Sequence, residues 1–178
     1  MGAISIPINN RLIEIDNGGG AYTATGSVAS FSVAIPANMQ AFNWFEGEIL
    51  ALVNSSALTF YDMLPNGLTT NSSGTVGGAG FGGATSFNVG RNSAGFTLGA
   101  TSTDGTLTTA WSRFTISRIG SVWTCQSRFG ASSATVVHRS IYADSAWFSG
   151  ANLTSLTFAK DVDNFLTGTK VKLRGRSY

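Results

Sequence analysis

Charge is scarce in this sequence. Asp, Glu, Lys and Arg make up 11% of its 178 residues, against about 25% in an average soluble domain. Its polar surface rests on the hydroxyls and amides of Ser, Thr and Asn. Low charge gives little protection against association, so neighbouring subunits are expected to cover much of that surface. Cys125 is the single cysteine, which excludes an internal disulfide; its position in an alternating strand marks it as a small buried hydrophobe. His138 is the single histidine, so a histidine-ligated metal centre or a Ser-His-Asp relay has almost no material. No apolar run approaches 18 residues, and no membrane-spanning helix is expected. The opening MGAISIPINN has neither the basic nor the apolar region of a signal peptide, so no export signal is expected. Without one, the glycosylation triplets at Asn54, Asn71 and Asn152 read as chance in an Asn/Ser/Thr-rich chain.

What is present is alternation. In WSRFTISRIGSVWTCQSRF (111–129), Phe114 and Ile116 alternate with Arg113, Thr115 and Ser117, the period of a half-buried strand. Beyond Ile119-Gly120 the parity changes, with Trp123, Cys125 and Phe129 apolar. The stretch predicts the central antiparallel hairpin of an all-β domain. A two-residue turn at Ile119-Gly120 would set Arg118 against Ser121, Ile116 against Trp123 and Phe114 against Cys125; a glycine bulge is the alternative.

Along the chain, residues 1–20 read as an N-terminal arm and first strand, and 21–178 as a single β-sandwich domain. Leu12, Ile13 and Ile15 precede the turn signal Asp16-Asn17-Gly18-Gly19-Gly20. Phe31, Val33 and Ile35 alternate until Pro36, which cannot donate to a ladder. In FNWFEGEILALV (42–53), Ile49, Ala51 and Val53 share one face while Leu50 and Leu52 share the other. A strand apolar on both faces is expected to be buried on both, inside a sandwich or against another subunit; a short amphipathic helix competes. Leu58 to Tyr61 is expected to pair back, and Pro65-Asn66-Gly67 to turn the chain. Ten of residues 71–105 are glycine, which predicts long loops with short strands. Thr135 to Tyr142 reads as a strand, followed by a loop through Trp147 and Gly150. The chain closes with Val171 and Leu173 facing in. Short alternating strands without helical period indicate an all-β, antiparallel β-sandwich, jelly-roll-like, with long glycine-rich loops.

Catalytic and cofactor patterns are weak. Gly78 to Gly83 matches GxGxxG, but no strand precedes it and no helix pattern follows, so dinucleotide binding is not expected. Glu46 and Glu48 share a strand face roughly 7 Å apart, near a retaining glycosidase pair's spacing. No surrounding cleft pattern accompanies them, so solvent- or interface-facing carboxylates are the preferred reading. Asp161-Val162-Asp163-Asn164 begins like a calcium loop, but Phe165 occupies a ligand position and a hairpin connection is preferred. No enzyme activity, cofactor or metal is expected.

The charge that exists is unevenly placed. Residues 1–90 hold one basic and five acidic groups, and 91–178 hold ten and four, a balance of −4 against +6. Lys170, Lys172, Arg174 and Arg176 line the outward face of the last strand. A basic stripe can meet phosphate, but of the aromatics that nucleic-acid binders interleave only the terminal Tyr178 is present. Protein–protein complementarity is preferred, so neither nucleic acid nor membrane is expected as a partner. Candidate interface residues are Lys170, Lys172, Arg174, Arg176, Leu50 and Leu52.

Two segments resemble a known group. FNWFEGEILALVNSSALTFYDMLPNG (42–67) is similar to the early core strand and turn of small β-sandwich proteins on tailed-bacteriophage virions. LTSLTFAKDVDNFLTGTKVKLRGRSY (153–178) is similar to their closing hairpin, and 111–129 fits between them. The resemblance covers about half of the chain and brings no catalytic residue. It implies a structural protein on the virion exterior, made in the host cytoplasm and commonly trimeric. The favoured expectation is a capsid decoration or cement protein that binds the major capsid protein or other virion proteins. The alternative is the receptor-binding tip of a tail or head fibre that recognises host surface glycans.

Overall fold

The computed structural model describes residues 12–15, 22–54, 59–68, 72–79, 86–93, 95–101, 107–132, 139–160 and 164–177. The signals at His138, Gly80 to Gly83 and Asp161 to Asp163 lie outside these residues. Two antiparallel sheets pack against each other. The larger runs β1 (Ile13–Glu14), β13 (Lys170–Arg176), β4 (Trp44–Asn54), β9 (Leu107–Ile119), β10 (Val122–Ser132), β11 (Arg139–Phe148), β6 (Ser72–Ala79), β7 (Ser86–Ser93). A short β2 (Tyr22–Thr23) also pairs with β13. The smaller sheet runs β3 (Ser30–Ala34), β12 (Ser155–Lys160), β5 (Thr59–Pro65), β8 (Phe96–Thr101). The chain is an all-β antiparallel sandwich.

Alternation decides which side of each strand enters the core. In β13, Val171 and Leu173 are buried between exposed Lys170, Lys172 and Arg174. In β3, Phe31 and Val33 are buried between Ser30, Ser32 and Ala34. Each such side chain contributes about 1.5–3 kcal/mol when taken out of water. Phe31 stacks on Phe158 at 5.1 Å and meets Phe165 edge-on at 5.2 Å, joining β3, β12 and the chain before β13.

The hairpin β9–β10 forms with the expected faces but a different register. Ile119 pairs with Val122, Ile116 with Cys125 and Phe114 with Ser127. The turn is Gly120-Ser121, with no bulge in the ladder, and Gly120 sits at φ 61°. Placing glycine first in the turn satisfies a type II′ loop, whereas Ile119 there would have been strained. The displacement amounts to two residues, so every side chain keeps its face.

Three other expectations are corrected. The segment near Leu58 to Tyr61 does not pair back on β4; β5 crosses to the other sheet and pairs with β12 and β8. Trp147 belongs to β11, paired with Trp123 and buried, rather than to a loop. In the glycine-rich segment, β6 and β7 are paired strands of eight residues each, and long loops are not what its described residues form. The expected turn at Pro65-Asn66-Gly67 is present, with positive φ at Asn66 and Gly67.

The sheets are also joined by hydroxyls. Tyr61 pairs with Gly99 and Asp62 with Thr97, which leaves Leu98 as the extra residue of a bulge in β8. A bulge breaks the ladder and turns backbone groups away from the partner strand. Three buried serines of the larger sheet meet these groups. Ser112 Oγ donates to the Leu98 carbonyl at 3.2 Å, Ser127 Oγ donates to the Thr97 carbonyl at 3.1 Å, and the Thr97 amide donates to Ser145 Oγ at 3.3 Å.

Candidate functional site

The outward face of the larger sheet carries every interface residue read from the sequence. Lys170, Lys172 and Arg174 point outward from β13 as expected, with Arg176 half-buried at its end. They do not form a bare basic stripe. The register of β13 on β4 sets Lys172 against Glu48, Arg174 against Glu46 and Arg176 against Trp44. Arg174 lies 3.3 Å from Glu46, Lys172 lies 3.7 Å from Glu48, and the Arg176 guanidinium rests 4.2 Å from the Trp44 ring centre. Cross-strand neighbours of opposite charge attract modestly at an exposed face. Glu46 and Glu48 thus serve as partners of the stripe.

The sandwich does not cover the second face of β4, which leaves burial against another subunit as the remaining alternative. Leu50 is 42% exposed. Leu52 is half-buried by the chain itself, since the turn before β13 brings Gly168 to it and the Leu166 amide donates to its carbonyl at 2.7 Å. Of the two leucines, Leu50 alone is left fully outward.

Paired residues of antiparallel strands share a face, so outward side chains line up in rows across the sheet. One row is Arg174, Glu46, Thr115, Gln126 and Asp144. The next, two residues along each strand, is Lys172, Glu48, Arg113 and Arg128, and the third is Lys170, Leu50, Trp111 and Gly130. The first row holds one cation and two carboxylates. The second holds three cations around one carboxylate, with Arg113 and Arg128 directly opposed. Glu48 is shared, 3.6 Å from Arg113 Nε on one side and 3.7 Å from Lys172 on the other.

Between the rows the face is concave. A cleft of about 630 Å³ lies over the first two rows. A second depression of about 410 Å³ lies over Leu50, Trp111 and Lys170. The two share Glu48, Arg113 and Lys172, so they form one trough, polar at one end and apolar at the other.

Trp111 is the residue that sequence reading missed. Its parity with Arg113 puts it outside, and it remains 41% exposed. Opposite it stands Gly130, and a Cβ there would lie 2.6–2.7 Å from three adjoining indole atoms. Near-equal distances mean that the face of the ring, not its edge, covers the glycine. One indole face therefore rests on backbone while the other looks outward. A tryptophan opposite a glycine on the polar parity of a hairpin was the available signal.

Chemically, the trough offers an aromatic face beside alternating donors and acceptors. Among the described residues no cluster of three His, Cys, Asp or Glu could hold a metal, and no helix is long and apolar enough to cross a membrane. Cys125 is buried, which pushes its thiol pKa far up, with Asp144 adding to the shift, so the group is a neutral part of the core. Comparison with models of protein families, with curated proteins and with solved structures finds no match to this chain.

Proposed function

We propose that this protein is a non-enzymatic bacteriophage virion component, carried on the particle exterior, that recognises host surface glycans through the open face of its larger sheet. The observation that carries this reading is the Trp111 indole, held flat on Gly130 at the apolar end of the trough. Sugars present apolar C–H faces and hydroxyl edges together, which an indole beside carboxylates, guanidiniums and an amide matches. The virion assignment rests on the resemblance of 42–67 and 153–178. Binding of the purified protein to host surface polysaccharide tests the reading: Trp111→Ala should abolish binding while leaving the fold intact. Retained binding in that variant would overturn it. The trimer implied by the same resemblance is checked by light scattering, and a monomer at micromolar concentration would exclude it.

A second reading, a capsid decoration protein docked on the major capsid protein, is favoured by Leu50 beside Trp111. An apolar centre ringed by ion pairs has the anatomy of a protein interface. Copy number in purified particles separates the two, hundreds for decoration and few for a fibre tip. Acrylamide quenching of Trp111 on the particle gives independent information, since docking would shield the ring and glycan recognition would leave it open. The internal pairing of the stripe with Glu46 and Glu48 weakens the salt response expected of docking through bare positive charge.

A further inference from the structure

We infer that the trough takes a neutral oligosaccharide, a trisaccharide or longer, laid along β9 and β10 with one ring stacked on Trp111. This rests on the glycan reading above and adds the length and charge of the ligand. Length follows from the strands. The depression over Leu50, Trp111 and Lys170 and the cleft over Glu46, Gln126 and Asp144 share Glu48, Arg113 and Lys172, so they follow one another along the strands. Glu46 lies four residues from Leu50 on β4, Thr115 four from Trp111 on β9, and Gln126 four from Gly130 on β10. Four residues of strand span roughly 13 Å, beyond the reach of a single pyranose and within that of a trisaccharide. A lone sugar stacked on Trp111 would leave Gln126 and Glu46 without a contact.

Charge follows from the pairing. Glu46 lies 3.3 Å from Arg174, and Glu48 lies 3.6 Å from Arg113 and 3.7 Å from Lys172, while Arg128 makes an interaction of its own within the chain. An acidic ligand would have to draw one of these cations from the carboxylate that it already faces. At the Gln126 end it would also meet Glu46 and Asp144. A hydroxyl needs no such exchange. It donates once and accepts twice, whereas a carboxylate only accepts and a guanidinium only donates. Each ion pair therefore sets an acceptor and a donor side by side, so that neighbouring hydroxyls of one ring can donate to Glu46 and accept from Arg174. All three ion-pair separations exceed the usual hydrogen-bond length of about 2.7–3.2 Å, so the carboxylate oxygens keep lone pairs for a ligand. Bonds of this charged kind are stronger than neutral ones. Between Thr115 and Asp144 in the same row stands the Gln126 amide, which both donates and accepts.

The probes are neutral gluco-, manno- and galacto-oligosaccharides of several linkages, each from monosaccharide to hexasaccharide, with uronic-acid oligosaccharides of matching length. Binding is read by Trp fluorescence and calorimetry on the full chain. Affinity for at least one neutral series should rise about tenfold or more from monosaccharide to trisaccharide. It should not fall as salt rises, because the ligand carries no charge to be screened. Gln126→Ala should bring the trisaccharide down to the affinity of the monosaccharide, and Trp111→Ala should lose binding at every length. Both side chains are exposed, and unchanged melting temperatures would show that the variants fold. Equal affinity for monosaccharide and hexasaccharide, or tighter binding of acidic than of neutral members, would overturn this inference and leave the glycan reading standing. No fluorescence or heat response from any member, acidic or neutral, would overturn both.

Discussion

Ser127 Oγ donates a hydrogen bond to the Thr97 carbonyl 3.1 Å away, across the gap between the two sheets. Its parity places it among Cys125 and Phe129, where the rest of the strand is apolar, and it is 5% exposed. Removing the hydroxyl leaves a buried carbonyl short of a donor, which costs about 1–3 kcal/mol. Ser127→Ala should lower the urea midpoint accordingly, while Ser121→Ala in the exposed turn should stay within about 0.5 kcal/mol. Equal midpoints for the two variants would remove the serine bridge from the forces that join the sheets.

Ile116 and Ser117 separate the faces of β9. Ile116 is fully buried, so Ile116→Asp should cost about 3 kcal/mol or more by placing a charge in the core. Ser117 is half-buried, and its hydroxyl lies 2.9 Å from that of Thr124. Ser117→Asp should therefore cost up to about 1 kcal/mol, the scale of a cross-strand pair. Denaturant midpoints in the opposite order would contradict the observed faces.

Asn66 holds one end of the sandwich. Its Oδ1 accepts from the Thr154 amide at 2.7 Å and from the Thr154 hydroxyl at 3.0 Å, while its Nδ2 donates to the Asn152 carbonyl at 2.9 Å. It also sits at φ 53°, where Asn is tolerated better than most residues. Asn66→Ala should cost about 1–3 kcal/mol by losing the bonds and straining the turn together. Asn66→Gly relieves the strain alone and should fall between wild type and Asn66→Ala in thermal melts.

Cys125 sets an alkaline limit. Its thiol pKa is raised by burial first and by Asp144 second, above the ordinary value of about 8.5. With the folded value above the unfolded one, the folded state retains the proton longer. The contribution is therefore complete below about pH 8.5 and is lost progressively as pH rises above it. Stability of the wild type should fall faster than that of Cys125→Ala between about pH 8.5 and 10.5. Native protein should resist thiol reagents and release one reactive thiol per chain on unfolding; rapid native labelling would contradict the burial.

Glu46 and Glu48 are predicted to do no hydrolysis. Each faces a cation across the strand pair, so Glu46→Gln and Glu48→Gln should each cost under about 1 kcal/mol. Incubation with host polysaccharide should release no reducing ends from wild type or variants. Release that vanished in either variant would identify a hydrolase instead.

The parity of side chains was legible along the chain by itself. Phe114 with Ile116, Trp123 with Cys125 and Val171 with Leu173 face the core as read, because alternation is a property of a single extended strand and needs no partner. Partnership is different. Which strand lies beside which depends on contacts between residues far apart in sequence, and several pairings satisfy the same alternation. For that reason the hairpin lies two residues from the register that a turn at Ile119-Gly120 would give without changing a face, and β5 pairs with β12 and β8 instead of back on β4. Only tertiary structure set Glu46 and Glu48 against Arg174 and Lys172, turning an apparently bare basic stripe into a paired one. Only it brought Ser112, Ser127 and Ser145 to the bulged backbone of β8. The candidate site belongs to the same class. Trp111, Gly130, Arg113 and Arg128 each have a strand's parity in the sequence, but their meeting in one trough is decided by the pairing of β9 with β10 and β4.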